Sequence, residues 1–328
     1  MTVAALNPDR ILKELAGLWE SMAKNPAADG STATLRACAM TLIVGPVRDG
    51  EVDAVSESLA NLMREFPSRA IVIRLATTAN VLDARVFAQC WLPFGKRQQL
   101  CCEQIEITAS MDRMGDLYTL LLPLLAPDLP VVMWCRGVRQ IDRPEARAVL
   151  TLAGTVLIDS ALFPEPPTAL STLVSLSKDM RRMGDLAWTR TTAWRQAIAQ
   201  LFDSSSNRAL IPAVERIRIR GGESEPTTAM WYLAAWLSAR LPQARLDVSA
   251  SASPKFLDSV SLEAPGWTAA LGLSSCGLEI TQNSAVNHVG LPDASDAALL
   301  AEELAILGND TEFERTLPLA ARLASEGN

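Results

Sequence analysis

The chain holds one histidine in 328 residues, His288. Ser-His-Asp and Cys-His sites need an imidazole as base, so any such site here must be built on His288. No G-x-S-x-G turn precedes it, and its surroundings, S-A-V-N-H-V-G, read as a strand or turn. The histidine count also excludes His-rich metal sites, and the six cysteines contain no C-x-x-C pair. Phosphate-binding loops are missing too: there is neither G-x-G-x-x-G after a strand nor G-x-x-x-x-G-K-[ST]. Gly45-Pro46 follows the first core strand, and proline lacks the N–H that a phosphate cradle uses. The expectation is a chain without a cofactor, one that does not bind NADP or ATP in the standard way. An excess of positive charge is absent as well, since the formal net charge is −7. That argues against nucleic acid as a partner. The basic spots Lys178–Arg182 and Arg216–Arg220 are local, and the second alternates with Ile217 and Ile219 as the wet face of a strand does. The longest apolar run, Leu117–Leu129, is broken by Pro123, Pro127 and Asp128, which is too short to span a bilayer. Asp9 and Arg10 come early and no apolar signal segment follows. A cytoplasmic protein with reduced thiols and no membrane partner is expected, and no disulfide should be needed for folding.

What is present is enough apolar sequence for a large core: 49% hydrophobic residues against 20% charged. Residues 8–24 carry a helical stripe of Ile11, Leu12, Leu15, Leu18 and Trp19, and a Pro/Gly/Ser loop, Asn25–Thr32, follows. Leu35–Val44, the helical Glu51–Glu65 and Arg69–Leu75 make a βαβ unit, hence parallel pairing. Val81–Trp91 and Gln98–Thr108 read as a strand pair around Pro93-Phe94-Gly95-Lys96. A helix from Ser110 to Leu125, the strand Pro130–Trp134, the helix Pro144–Leu152 and the strand Thr155–Ile158 continue the alternation. This pattern predicts an α/β fold with a largely parallel sheet flanked by helices. The run Asp203–Asn207 is the best boundary, giving an α/β domain over 1–205 and a smaller α+β domain over 206–328. In the latter, Val214–Arg220, Leu246–Ala250, Phe256–Leu262, Thr268–Leu273 and Leu278–Thr281 read as strands. Thr227–Leu241 and two C-terminal helices, about Ser295–Leu307 and Asp310–Ala324, accompany them.

The densest stretch is Gly184–Arg195, G-D-L-A-W-T-R-T-T-A-W-R. Thr168–Met183 before it reads as an amphipathic helix that Gly184 ends, and Thr192 can cap the next. Trp188 and Arg190 then fall in a short connection, where an indole and a guanidinium serve as interface anchors. Asp185, Trp188, Arg190, Trp194 and Arg195 are therefore candidate partner-binding residues. The alternative is that both tryptophans fill the core while Arg190 and Arg195 pair with Asp185 and Asp203. Asp159 and Ser160 follow T-V-L-I at a strand end, the edge where open α/β sheets place ligands. Glu103 sits inside an apolar strand and should be buried with a partner such as Arg85 or Arg74. Cys101 and Cys102 are adjacent in that strand, so they should point to opposite faces, one of them buried and inert.

D-L-A-W-T-R-x-T-x-W-R resembles the signature of the glucose-6-phosphate dehydrogenase assembly proteins, the OpcA family. Three further segments fit it in order: Cys102-Glu103-Gln104-Ile105, Asp128-Leu129-Pro130-Val131 leading to Trp134, and Ile158-Asp159-Ser160. Cys135 stands where family members often have a second tryptophan, and Ala193 where they often have proline. The resemblance implies a non-catalytic protein that binds glucose-6-phosphate dehydrogenase and favours its active oligomer. An α/β enzyme or sugar-phosphate-binding protein using Asp159, Ser160 and nearby arginines is the rival reading.

Overall fold

The computed structural model describes residues 6–24, 33–93, 98–136, 141, 143–253, 255–306 and 308–327. Contacts divide the chain into two compact units. The first is Met1–Ile158 with Met180–Met183 and Ser295–Leu304, and the second is Asp159–Asp179 with Gly184–Ala294 and Ala305–Asn328.

The first unit opens with α1 (Pro8–Lys24), β1 (Ala33–Arg36), β2 (Met40–Val47), α2 (Val52–Glu65) and β3 (Ser68–Ala76). It continues through β4 (Leu82–Trp91), β5 (Gln98–Ser110), α3 (Leu117–Leu121), β6 (Val131–Cys135), α4 (Pro144–Leu150) and β7 (Thr155–Ile158). Then follow α5 (Pro166–Leu176), β8 (Met183–Asp185), in which the chain passes between the units, α6 (Leu186–Thr189), α7 (Thr192–Gln200) and α8 (Ser205–Arg208). The rest is β9 (Arg216–Arg220), α9 (Thr228–Arg240), β10 (Arg245–Ser249), β11 (Ser259–Ala264), β12 (Trp267–Ser274), β13 (Gly277–Gln282), β14 (Ala285–Val289), α10 (Asp296–Ala305) and α11 (Thr311–Glu326).

The first sheet runs β1-β5-β3-β2-β6-β7-β8, with β4 pairing β5. Its centre, β3-β2-β6-β7, is parallel throughout. These are the four strands expected to share a sheet. They read as continuous apolar runs because both faces are covered, and Leu42, Ile43, Val44, Ile71 and Leu157 are all fully buried. Leu35–Val44 is two strands rather than one: β1 pairs with β5, while β2 lies at the centre. Gly45 within β2 has φ +138°, and a Cβ there would lie 2.6 Å from the Ile73 carbonyl, so only glycine fits between the strands.

The second unit builds a mixed sheet, β10-β9-β11-β12-β13-β14. β10 and β9 are parallel, and the remaining pairs are antiparallel. α9 is apolar all round and is buried from Thr228 to Leu237, as such a helix must be. β14 escaped the sequence pattern because every residue of it is exposed, leaving no buried face to mark it.

Several expectations change. The serine run does not divide the units: Ser204 caps α8 inside the second one, accepting from the Asn207 N–H at 3.2 Å. The helix expected over Thr168–Met183 stops at Leu176, and Gly184 is a strand residue, not a helix cap. The segment Ser110–Leu125 coils mostly as 3-10 turns around the short α3. Cys90 and Cys101 form a disulfide, and both Cys101 and Cys102 are fully buried. The reason is register. Cys90 lies directly opposite Cys101 in the antiparallel β4–β5 pair, with their Cα atoms 4.1 Å apart. Burial pushes the Cys102 thiol up to about 11. Asn25–Thr32 and Phe94–Lys96 lie outside the described residues.

Candidate functional site

The chemistry-rich stretch folds in the second unit as a knot of buried polar and aromatic groups. β8 delivers Asp185, whose Oδ1 accepts from the Ala187 N–H at 2.9 Å and so caps α6. The same oxygen accepts from the Ser160 N–H at 2.9 Å. Oδ2 accepts from the Tyr232 hydroxyl on α9 at 2.7 Å. Three donors therefore hold one buried carboxylate. Burial, and then the nearby Asp159 charge, pushes Asp185 up to about 6, while burial raises the Tyr232 hydroxyl well above its ordinary value.

Asp159 and Arg190 meet fork to fork. Arg190 Nη1 and Nη2 donate to Asp159 Oδ1 and Oδ2, each at 2.7 Å. Asp159 Oδ1 also accepts from the Ala161 N–H at 3.1 Å. The Arg190 side chain is only 13% exposed, so it does not reach out from a connection as the sequence suggested. Trp188 and Trp194 are both buried. The Trp188 indole N–H donates to Asp310 at 2.8 Å, and Asp310 in turn caps α11 through the Glu312 and Phe313 N–H groups. The Trp188 ring packs edge-on to Tyr232 at 5.8 Å and lies 6.2 Å from Phe313. Arg195 covers the other side, its Cζ 3.6 Å from the Trp188 ring centroid, while its Nε donates to Thr191 Oγ1 at 3.0 Å.

The structure thus takes the core alternative for both tryptophans with different partners: Arg190 goes to Asp159, Arg195 to the Trp188 face, and Asp185 to Tyr232. Sequence spacing could not supply Tyr232, Phe313 or Asp310. They lie more than forty residues downstream and belong to helices whose apolar patterns look like ordinary core.

The other motif positions belong to the first unit. Glu103 is buried and accepts from Trp19 Nε1 at 2.7 Å and Arg69 Nε at 2.6 Å, with Arg36 at 2.5 Å. The expected partners, Arg74 and Arg85, instead meet Glu106, at 2.6 and 3.0 Å. Gln104, beside Glu103 on β5, is buried as well. Asp128 is exposed in a left-handed turn at φ 61°, two residues before Pro130, which leads into β6. Trp134 is buried, with the Arg136 guanidinium 4.9 Å from its ring centroid. The sheet reverses direction of travel between β2 and β6, the crevice where open α/β sheets bind ligands. There Arg136, just after β6, pairs with Asp296 at 2.9 Å and Glu51, just after β2, at 3.5 Å. His288 is exposed on the edge strand β14, opposite Glu279. Among the described residues no helix is long and apolar enough to cross a membrane, and no group of three His, Cys, Asp or Glu side chains could hold a metal ion.

Two family models match the chain in tandem, glucose-6-phosphate dehydrogenase subunit N-terminal domain over residues 60–175 and the corresponding C-terminal domain over 181–317. The chain belongs to the OpcA family. Its curated relatives include two proteins provisionally named OxPP cycle protein OpcA. One, from Synechocystis sp., is 26% identical over 176 residues, 52% of this chain and 36% of the relative. The other, from Nostoc punctiforme, is 28% identical over 166 residues, 49% of this chain and 34% of the relative. The match thus spans about a third of each relative's length. Among solved structures, the super-repressor mutant of Gal80p from Saccharomyces cerevisiae aligns with TM-score 0.50 at 7% identity, over 87% of this chain and 94% of that one. Aldose-aldose oxidoreductase from Caulobacter crescentus aligns with TM-score 0.48 at 9% identity, over 88% and 98%. At these identities the Gal80p likeness speaks for the fold alone.

Proposed function

We propose that this chain is a non-catalytic cytoplasmic accessory protein that binds glucose-6-phosphate dehydrogenase and favours its active oligomer. The observation that carries the reading is the tandem family match, whose two models are both described as domains of a glucose-6-phosphate dehydrogenase subunit. The site geometry supports it. The acidic and basic groups that an enzyme would turn towards a substrate are spent here on one another. Asp159 holds Arg190, Asp185 holds Tyr232, and Arg136 is tied to Glu51 and Asp296 at the sheet crevice. An accessory protein raises activity only by binding the active form better than the inactive one, which needs a rigid surface and no reacting groups. In this reading Asp185, Trp188, Arg190, Trp194 and Arg195 serve the partner from within, by fixing the helices that present the docking face.

The test is a turnover assay of the dehydrogenase at fixed enzyme concentration with increasing amounts of this chain, paired with a mass measurement of the mixture. The expected result is a rate that rises and saturates as a complex of defined mass appears. A rate that stays flat across the titration, with no complex by mass, rejects the reading.

A further inference from the structure

The second unit contains a cleft of about 390 Å³ that the knot above does not use, although it borders Ser160 and Arg190. That volume suits a small molecule. Its floor is the start of α9. Thr228 and Ala229 carry the first backbone N–H groups of that helix, which no intrahelical carbonyl can accept. A 13-residue helix concentrates partial positive charge at this end. Thr228 is 2% exposed, and its Oγ1 has no hydrogen-bond partner within the protein. Its neighbour Thr227 does the capping instead, accepting from the Met230 N–H and donating to the Phe256 carbonyl. The Thr228 hydroxyl is therefore spare, and a buried hydroxyl is stable only when something bonds to it.

The walls add two cations. Arg190 is held in place by Asp159, and Lys255 stands exposed at the mouth. Half-buried Phe163 and Phe256 supply apolar sides, and exposed Glu223 and Glu225 sit on the rim. Gly222 lets the rim loop fold back tightly, since at φ +73° a Cβ would lie 2.1 Å from the Glu225 carbonyl. The lining therefore offers donors from the helix start and from Lys255, and acceptors from Glu223 and Glu225.

We propose that this cleft binds a phosphorylated small molecule of monosaccharide size. The phosphate sits on the α9 N-terminus and is bonded by Thr228, with Lys255 closing over it and the ligand hydroxyls donating to Glu223 and Glu225. Phosphate in the reverse position would face two carboxylates, so the orientation follows from charge. The site is independent of the dehydrogenase-binding reading: it can exist whether or not a complex forms.

Titration calorimetry on the full chain, with inorganic phosphate, a hexose 6-phosphate and the unphosphorylated hexose as probes, tests it. Saturable binding of the hexose 6-phosphate, tighter than either of the other two, is expected. Lys255→Ala and Thr228→Val should each weaken it about tenfold, the loss of one charge-assisted bond. Lys255 is exposed, so that variant keeps its fold, and a melting curve checks the same for Thr228→Val. The proposal is overturned if the wild-type chain shows no saturable heat with the hexose 6-phosphate at millimolar concentration. It is equally overturned if binding survives both substitutions, or if the unphosphorylated hexose binds as tightly.

Discussion

Tyr232 donates its hydroxyl to Asp185 across 2.7 Å, joining the middle of the longest apolar helix in the second unit to the first residue of the D-L-A-W-T-R motif. Both side chains are fully buried. The contact explains why an aspartate can stand at this place: its three donors, the Ser160 N–H in the turn after β7, the Ala187 N–H of α6 and the Tyr232 hydroxyl of α9, are built in before any ligand is considered.

That aspartate gives the fold a pH signature. Asp185 is raised from 3.8 to about 6 in the folded chain, so between those values the native state holds a proton that the unfolded chain has released. The contribution of this group to stability is fully present below about pH 3.8 and is lost as pH rises through about 6. Asp185→Asn removes the titration but keeps an acceptor for the Ser160 and Ala187 N–H groups. The difference in unfolding free energy, wild type minus variant, should fall between pH 4 and 6 and then level off. Chemical denaturation at several pH values measures it. A difference that does not change with pH refutes the buried-carboxylate account.

Arg190→Ala separates the observed pairing from an exposed anchor. With the Asp159 side chain 6% exposed and its partner removed, the variant should lose about 3 kcal/mol. Asp159→Ala combined with Arg190→Ala should lose less than the two single variants added together. An Arg190→Ala protein that melts with the wild type would return Arg190 to the surface.

Trp194→Ala should cost about 3–5 kcal/mol, because its ring is buried beside Ala197 and Ile198. Trp188→Phe keeps the ring stack but leaves Asp310 without its indole donor. It should cost about 1–2 kcal/mol and loosen the start of α11. Hydrogen exchange at Glu312 and Phe313 reads this second effect directly, and unchanged protection there contradicts it.

The Cys90–Cys101 link closes a short loop, so its reduction should lower stability by about 2–3 kcal/mol. In the folded, oxidised chain a thiol reagent should label the exposed Cys276 first and leave Cys102, raised to about 11, untouched until the protein unfolds. Rapid labelling of Cys90 or Cys101 without reductant, or a melt indifferent to reductant, shows that the link is not there.

Much of the architecture was legible in the residues. The runs around Leu42, Ile71, Val132 and Leu157 announce buried parallel strands, since continuous apolar sequence bounded by turns has few other uses. The α9 segment, with Trp231, Tyr232 and Trp236, declares a buried helix by being apolar all round. β14 had no such signal, because a strand exposed on both faces has no alternation to display.

The residue identities of the motif were equally plain, but their partners were not. Composition and spacing determined that Asp185, Trp188, Arg190 and Arg195 belong together and that Glu103 must be paired. Only the tertiary structure decided that Arg190 takes Asp159, that Asp185 takes Tyr232, that Glu103 takes Trp19, Arg36 and Arg69, and that Cys90 meets Cys101. Local pattern reflects forces acting within a turn of helix or a pair of adjacent side chains. Partner choice across 31 residues for Arg190 and Asp159, or 84 for Trp19 and Glu103, depends on strand order and register, which the whole core fixes at once.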